Sequence, residues 1–260
     1  PTDPTRPAAE DNLPVSFHKY EMRQAIEEKF ILDVLRGYVP YKTAFNLGQE
    51  IVEEKRVDGK AAKRALAKWM TLHPTNVTQK VRFIIEHFSK NVAHLLDGKA
   101  KAMVVTSSRA SAVRYKRAFD AFIAANPEYC NIRALVAFSG KLTGREVMHP
   151  NDELLQGDAF VVEEDAEFTE VNMNPDAGGK DLRHVFDRPE YRVMLVANKF
   201  QTGFDQPKLV AMYVDKKIAN AVEIVQTFSR LNRTFPGKDQ TFIIDFINDP
   251  DVVRAAFAQY

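Results

Sequence analysis

Residues 191–214, YRVMLVANKFQTGFDQPKLVAMYV, contain two apolar runs, at 191–197 and 209–214, joined by a polar stretch with one glycine. Both runs are apolar at nearly every position rather than at alternate ones, which is typical of strands buried on both faces. The chain after residue 99 repeats this pattern, with further apolar runs at 102–106, 132–139 and 241–247 and helical patterns at 109–124 and 219–231. Strands that alternate with helices predict an α/β fold with a parallel sheet between layers of helices.

The rest of the chain divides into segments of different character. Residues 1–15 are polar and interrupted by prolines, which predicts a linker. Residues 16–98 carry apolar side chains at three- and four-residue spacing, which predicts a helical segment before the α/β domain of residues 99–260. An acidic stretch at 143–180 is expected to be mostly loop. The chain also lacks an initiator methionine, so we expect it to be part of a longer protein.

Composition limits the classes of function. No apolar run is long enough to span a bilayer and no signal peptide opens the chain, so no membrane association is predicted. A single cysteine, Cys130, excludes an internal disulfide framework and favours the cytoplasm. The six histidines include no pair at i, i+4 spacing, so no protein-built metal site is predicted. The net charge of +1 neither requires nor excludes nucleic acid.

The helical pattern after residue 219 carries two arginines that lack acidic neighbours. Gln226, Arg230 and Arg233 recur at i, i+4, i+7 spacing and should share one face of the helix. No acid lies three or four positions from either arginine. Two uncompensated guanidinium groups indicate an external anion, and their planar shape suits phosphate oxygens. A solvated basic surface is the alternative explanation.

A glycine turn follows the strand at 191–197. Gly203 permits a positive φ and a close backbone approach, and Thr202 and Asp205 stand on either side of it. The turn should lie at the carboxyl end of a parallel strand, where open α/β sheets bind ligands. A tight turn without a ligand is the alternative.

A second candidate site lies where the strand at 102–106 enters a helix. Thr106, Ser107, Ser108 and Arg109 offer hydroxyl and N–H groups at the beginning of that helix, a place that suits a phosphate group. Helix capping by Ser107 or Ser108 is the alternative explanation.

Taken in order, AMVVTSSR (102–109), VMLVANKFQTGFD (193–205) and VQTFSRLNR (225–233) resemble motifs IV, V and VI of the superfamily 2 helicases. The whole block at 200–249 looks more narrowly like the motor, or R, subunit of type I restriction enzymes. FTEVN (168–172) and YEMRQAIEEKFILDVLRGYVPY (20–41) resemble that family as well, so the resemblance covers most of the chain. Ser229 stands where many helicases have glycine, which fits the restriction family.

The resemblance implies a RecA-like second motor domain and a role for each candidate residue. Arg233 would be the arginine finger that reaches the γ-phosphate of ATP, with Arg230 and Gln226 in support. Gly203 and Asp205 would lie against the nucleotide. The residues expected to contact the DNA backbone are Thr202, Thr106, Ser107, Ser108 and Arg109.

The motifs that bind most of the nucleotide are absent from the sequence. There is no G-x-x-x-x-G-K-[ST] loop and no acidic Walker B strand, and Asp245 and Asp249 are better explained by a turn at a strand end. ATP and Mg²⁺ would therefore be bound mainly by a first motor domain, expected with a nuclease domain before Pro1. This chain alone is expected neither to hydrolyse ATP nor to cut DNA. Its implied partners are double-stranded DNA and the methyltransferase and specificity subunits.

Two alternatives stay open. One is a related superfamily 2 translocase, such as a type III restriction subunit or a remodeller. The other is a non-catalytic DNA- or protein-binding module with a RecA-like fold, which predicts salt-sensitive DNA binding that depends on neither ATP nor the two arginines.

Overall fold

A parallel sheet of six strands is the centre of the computed structural model, which describes residues 21–40, 72–150, 152, 160–200 and 203–259. Its strands are β1 (Tyr38–Pro40), β2 (Lys101–Thr106), β3 (Arg133–Ala137), β6 (Tyr191–Val196), β7 (Leu209–Asp215) and β8 (Phe242–Asp245). Their order across the sheet is β1-β8-β7-β2-β6-β3, and every neighbouring pair is parallel. The three central strands are buried at every position, so the predicted α/β fold is confirmed.

Helices cover both faces of the sheet. They are α1 (Met22–Glu27), α2 (Pro74–His87), α3 (Leu95–Gly98), α4 (Arg109–Ala125), α5 (Gly144–Val147), α6 (Leu182–Phe186), α7 (Ala221–Phe228) and α8 (Pro250–Phe257). Alternate side chains of β2 enter different cores: Val104 packs with α2 and α4, and Val105 packs with α6, α7 and α8. This division follows from the two-residue period of a strand. Within the described residues, no helix is both long and apolar enough to cross a bilayer.

Helix α2 is attached to strand β7 by polar contacts as well as by packing. The Lys80 ammonium lies 2.7 Å from a carboxylate oxygen of Asp215, and Tyr115 of α4 donates to the other oxygen of that carboxylate at 2.7 Å. Two turns further along the same face of α2, His87 Nδ1 lies 2.8 Å from the Tyr213 hydroxyl. These contacts fix the segment before the sheet onto the sheet itself.

The stretch at 143–180, predicted as mostly loop, has some regular structure in its described part. It contains α5 and strand β5 (Glu167–Thr169), which pairs antiparallel with β4 (Lys141–Thr143). The Asn174 side chain accepts from Val136 N at 2.9 Å and donates to Val136 O at 2.7 Å, on the outer edge of β3. Covering an edge strand in this way protects it from pairing with another chain.

The segment predicted to be helical also contributes a strand. Described parts of 16–98 contain α1, α2 and α3, but Tyr38–Pro40 forms β1, which pairs with β8 at the edge of the sheet. Gly37 allows this approach, since a Cβ there would lie 1.7 Å from the carbonyl oxygen of Thr241. A three-residue strand that ends in proline is too short to produce a recognisable period. The predicted linker at 1–15 and residues 41–71 lie outside the described residues.

Candidate functional site

Two of the three candidate segments begin at the carboxyl edge of the sheet, and the third contacts the later part of the loop after β6, just before β7. Strand β2 lies between β6 and β7, so its exit at Thr106 is next to the loop that follows Val196. The Thr106 hydroxyl donates to Val196 O at 2.9 Å, which joins the two strand ends directly. The loop after β6 in turn contacts the segment after α7, as described below. The exits of β2 and β6 thus lie at the edge at which open parallel sheets bind ligands.

Helix α7 is shorter than predicted, and this changes the position of both arginines. It begins with Asn220, whose side chain accepts from Glu223 N at 2.9 Å, and it ends at Phe228. The next residues make tight turns, with Leu231 N donating to Phe228 O at 3.0 Å. Gln226 is exposed on the helix, whereas Arg230 and Arg233 lie beyond its end. The prediction that these three side chains share one helical face is wrong, because the helix ends at Phe228, about one turn before the predicted end at residue 231.

Arg233 has an acidic partner that lies far from it in sequence. Its Nε donates to Asp205 Oδ1 at 3.1 Å, and both side chains are largely exposed, Arg233 at 47% and Asp205 at 72%. The prediction of an uncompensated charge is thus wrong for Arg233, since the acid comes from the loop after β6 rather than from the helix. The two terminal nitrogens of Arg233 make no hydrogen bond within the described part of the chain. They remain available to an external anion.

Arg230 contacts the same loop through the backbone. Its Nη1 donates to Phe204 O at 3.2 Å, and the side chain is half-buried. Burial, with a smaller effect of Arg233, lowers the pKa of the Arg230 guanidinium, while Asp205 raises it. The guanidinium nevertheless stays charged, because arginine is not deprotonated in proteins. Two arginines of one segment are therefore attached to consecutive residues, 204 and 205, of the loop.

The loop itself has the predicted backbone at its glycine. Gly203 is exposed and adopts a φ of +67°, a conformation that other residues rarely adopt. Asn198 and Phe200 of the same loop also have positive φ, at 54° and 63°. Such backbone strain clusters at binding sites. Thr202, a candidate DNA contact, lies outside the described residues.

The residues at the beginning of α4 are used mainly by the protein itself. Thr106 is buried, and the Ser108 side chain accepts from Ser111 N at 3.0 Å, so Ser108 caps the helix as the alternative explanation predicts. Arg109 Nη1 donates to Ser139 O at 3.2 Å and contacts Lys141 O at 3.4 Å. Ser107 and Arg109 are partly exposed. Among these four, the exposed groups of Ser107 and Arg109 are best placed for an external contact.

Asp245 and Asp249 form the predicted turn at a strand end. Asp245 Oδ1 accepts from Ile247 N at 3.0 Å and from Asn248 N at 2.9 Å. Burial raises the pKa of the Asp245 carboxyl, and these N–H donors act in the opposite direction. Asp249 caps α8 by accepting from Asp251 N at 2.9 Å. Both carboxylates are thus occupied by backbone groups.

Lys238 is a site residue that the sequence did not indicate. Its ammonium donates to three carbonyl oxygens, those of Arg233 at 2.7 Å, Leu231 at 2.8 Å and Pro207 at 3.1 Å. Burial, with the nearby charge of Arg233, lowers the pKa of Lys238 to about 7. The three carbonyl groups act in the opposite sense, since they accept from the charged form. Its partners are backbone atoms, which leave no signature in a sequence.

The segment before the sheet supports the Arg233 backbone from another side. Ile31 and Arg233 form an antiparallel bridge, and Leu32 N donates to Asn232 O at 2.9 Å. The candidate site therefore combines three stretches that are distant in sequence: 31–32, 203–207 and 229–238.

The family model and the curated relatives that match this chain point to one family. Residues 98–248 match the family model described as type I restriction enzyme subunit R domain 3. The type I restriction enzyme MjaVIIP endonuclease subunit of Methanocaldococcus jannaschii is 25% identical over 202 residues, which are 75% of this chain and 17% of that protein. The MjaIXP endonuclease subunit of the same organism is 30% identical over 179 residues, 68% of this chain and 14% of that protein. The chain thus spans less than a fifth of the length of these curated relatives.

A solved structure has the same fold. It is a fragment of an HsdR subunit of a type I restriction enzyme from Vibrio vulnificus YJ016, with a TM-score of 0.50 and 16% identity. The match covers 95% of this chain and 41% of that one. At this identity the likeness shows the fold alone, and the predicted RecA-like arrangement is confirmed.

Proposed function

This chain belongs to the family of type I restriction enzyme R subunits, and we propose that it is the second RecA-like motor domain of such a subunit. In this role it would contribute the arginine finger and part of the DNA contact surface to an ATP-dependent translocase in the cytoplasm. ATP and Mg²⁺ would be bound mainly by a first motor domain elsewhere in the full-length chain, and a nuclease domain of that chain would make the cut.

The observation that carries the proposal is the position of Arg233. Its guanidinium is partly exposed beside the end of the loop that leads into β7 and is attached through Nε alone to Asp205. Attachment at one nitrogen orients the group while leaving the two terminal nitrogens to face outward. A phosphate bound between two such domains needs donors of this kind, because charge develops on the transferred phosphoryl group during hydrolysis.

The neighbouring residues support the same chemistry. Arg230 adds a second positive charge, and Gln226 offers an exposed amide on the last turns of α7. The positive φ of Gly203 leaves its backbone open beside Asp205, where no side chain would obstruct a nucleotide. Closing the two motor domains would bring Arg233 to the γ-phosphate, and opening them after hydrolysis would change the contacts with duplex DNA. Repeated cycles would move the DNA.

The DNA contacts would come from the adjacent exits of β2 and β6. Ser107 and Arg109 present exposed groups there, and Thr202 is expected nearby from the sequence. Contacts of this kind bind the phosphate backbone and do not read base sequence. The specificity subunit would recognise the DNA site, and the methyltransferase subunit would complete the assembly.

The test is ATP hydrolysis by the full-length subunit, with and without duplex DNA. Arg233→Ala should lower DNA-stimulated turnover by roughly 10³–10⁵-fold, the usual contribution of an arginine finger, and leave the fold intact. Arg183→Ala is a matched control, because Arg183 is also exposed and paired with a carboxylate, that of Asp181. It should keep normal turnover.

The opposite result has a defined meaning. If Arg233→Ala hydrolyses ATP as fast as the unmodified protein, the arginine is not a finger. DNA binding that depends on salt but on neither ATP nor the arginines would then favour a non-catalytic module.

A further inference from the structure

Lys238 occupies an unusual environment for a lysine. Its side chain is buried, at 7% exposure, and its ammonium donates to three carbonyl oxygens rather than to a carboxylate. An ammonium has three N–H donors, and each of them has an acceptor here. Burying a charge is costly unless its hydrogen bonds are satisfied, so the three carbonyl contacts are what makes this burial possible.

The three carbonyl groups belong to the two sides of the Arg233–Asp205 pair. Leu231 and Arg233 supply two of them, from the segment that carries the arginine. Pro207 supplies the third, from the loop that carries Asp205. Three carbonyl dipoles that point at one place repel one another without a cation between them. Lys238 therefore joins two chain segments that the exposed ion pair alone would hold only weakly.

We propose that Lys238 is a positioning residue, which fixes the backbone of Arg233 against the loop of Asp205 and so sets the direction of the guanidinium. This inference rests on the proposed function of Arg233 as a finger. Lys238 contacts neither ATP nor DNA in this role. Its effect passes through the carbonyl groups of Leu231 and Arg233, and a small displacement of a finger strongly lowers its contribution to turnover.

The test uses DNA-stimulated ATP hydrolysis by the full-length subunit. Lys238→Met keeps an unbranched apolar chain of similar length and removes the donors, so kcat should fall by about tenfold to a hundredfold. The KM for ATP should stay within about twofold, because most of the nucleotide would be bound by the first motor domain. Lys238→Arg, which restores several N–H donors, should recover part of the lost kcat. Because unfolded protein would also lower the apparent kcat at unchanged KM, kcat is calculated per folded molecule, as measured by circular dichroism.

Lys208→Met is the matched control. Lys208 lies in the same loop, next to Pro207, but its ammonium faces a carboxylate oxygen of Asp187 at 3.5 Å. This variant should keep the kcat of the unmodified protein. Amide hydrogen exchange of the peptide at 229–237 supplies a readout that does not depend on ATP. Exchange there should be faster by about tenfold in Lys238→Met and unchanged in Lys208→Met.

The outcomes separate this inference from the proposed function. If Arg233→Ala is inactive and Lys238→Met keeps full kcat, Lys238 does not position the finger although the finger assignment stands. If Arg233→Ala keeps its turnover, the proposed function fails. Hydrogen exchange alone then tests whether Lys238 holds the backbone at 229–237. Unchanged exchange at 229–237 in Lys238→Met would then overturn the role of Lys238 as well, while faster exchange would support its hold on the backbone.

Discussion

Two ion pairs of the same α/β domain show how burial changes what a salt bridge does. In the first, Lys80 and Asp215 meet at 2.7 Å with exposures of 13% and 1%. In the second, Arg233 and Asp205 meet at 3.1 Å with exposures of 47% and 72%. The buried pair joins a helix to the sheet and has no remaining access to a ligand. The exposed pair orients a cation without removing it from solvent.

The energetic consequence of removing one partner should differ accordingly. Without Lys80, the carboxylate of Asp215 would stay buried with the Tyr115 hydroxyl as its remaining side-chain donor. Without Asp205, the Arg233 guanidinium would still be hydrated. A buried ion pair can thus join two elements, while an exposed pair leaves its cation accessible to solvent.

The largest effect is expected from Lys80→Met. It leaves a buried charge uncompensated, so the free energy of unfolding should fall by roughly 3–5 kcal/mol. Denaturant unfolding of the 260-residue chain measures this change. The matched control is Arg82→Met on the same helix, where the pair with Glu86 is exposed. Its loss should cost less than about 0.5 kcal/mol, and equal costs for both variants would contradict the comparison.

Acid should weaken a neighbouring contact between α2 and β7, the one between His87 and Tyr213. Burial lowers the pKa of this histidine from its usual 6.5, so below that pH the unfolded chain binds a proton that the folded chain does not. Protonation therefore favours unfolding, and the stability contribution is lost as the pH falls below 6.5. The loss should reach at most about 1.4 kcal/mol per pH unit. Unfolding at pH 6.5 and 5, compared with His87→Gln, isolates this effect, and parallel pH profiles for the two proteins would refute it.

A local contact at the carboxyl edge of the sheet should have an intermediate effect. Ser108→Ala removes the cap of α4 and should lower the free energy of unfolding by about 1 kcal/mol. Ser108→Asp keeps a capping oxygen and adds a negative charge. It should preserve stability but weaken DNA-stimulated ATP hydrolysis by the full-length subunit, if phosphates approach this turn. Unchanged DNA stimulation in Ser108→Asp would leave Ser108 with a capping role alone.

The smallest effect on stability is expected from Asp205→Ala. Both members of its pair are largely exposed, so the free energy of unfolding should change by less than about 1 kcal/mol. Turnover by the full-length subunit should nevertheless fall, because Arg233 loses the contact that orients it. A stability loss as large as that of Lys80→Met would show that exposure does not distinguish the two pairs.

The sequence predicted the parts of the fold that depend on local pattern. The apolar runs of β2, β6 and β7 identified three central strands and their common carboxyl edge, because strands buried on both faces must be apolar throughout. The need for a positive φ at Gly203 was also visible, since glycine in such a turn has a specific conformational use. Strand β1 was missed, because three residues that include Pro40 carry no period.

The predictions that failed concern contacts between distant residues. The arginines were placed on one helical face because the i, i+4, i+7 spacing continues past Phe228, but the helix ends there. The partner of Arg233 is 28 residues away, and a search at helical spacing could not find it. The role of Lys238 could not be found either, because carbonyl acceptors are present at every residue and only the fold brings three of them together.

The position of β1 has a practical consequence for fragment design. A fragment cut at residue 99, the boundary that the sequence suggests, would leave β8 as an unpaired edge and invite aggregation. It would also lack Ile31 and Leu32, which contact the backbone at Arg233 and Asn232. A fragment that contains this domain should therefore keep residues 21–40, since a shorter protein would lack the backbone contacts that support Arg233 and Asn232.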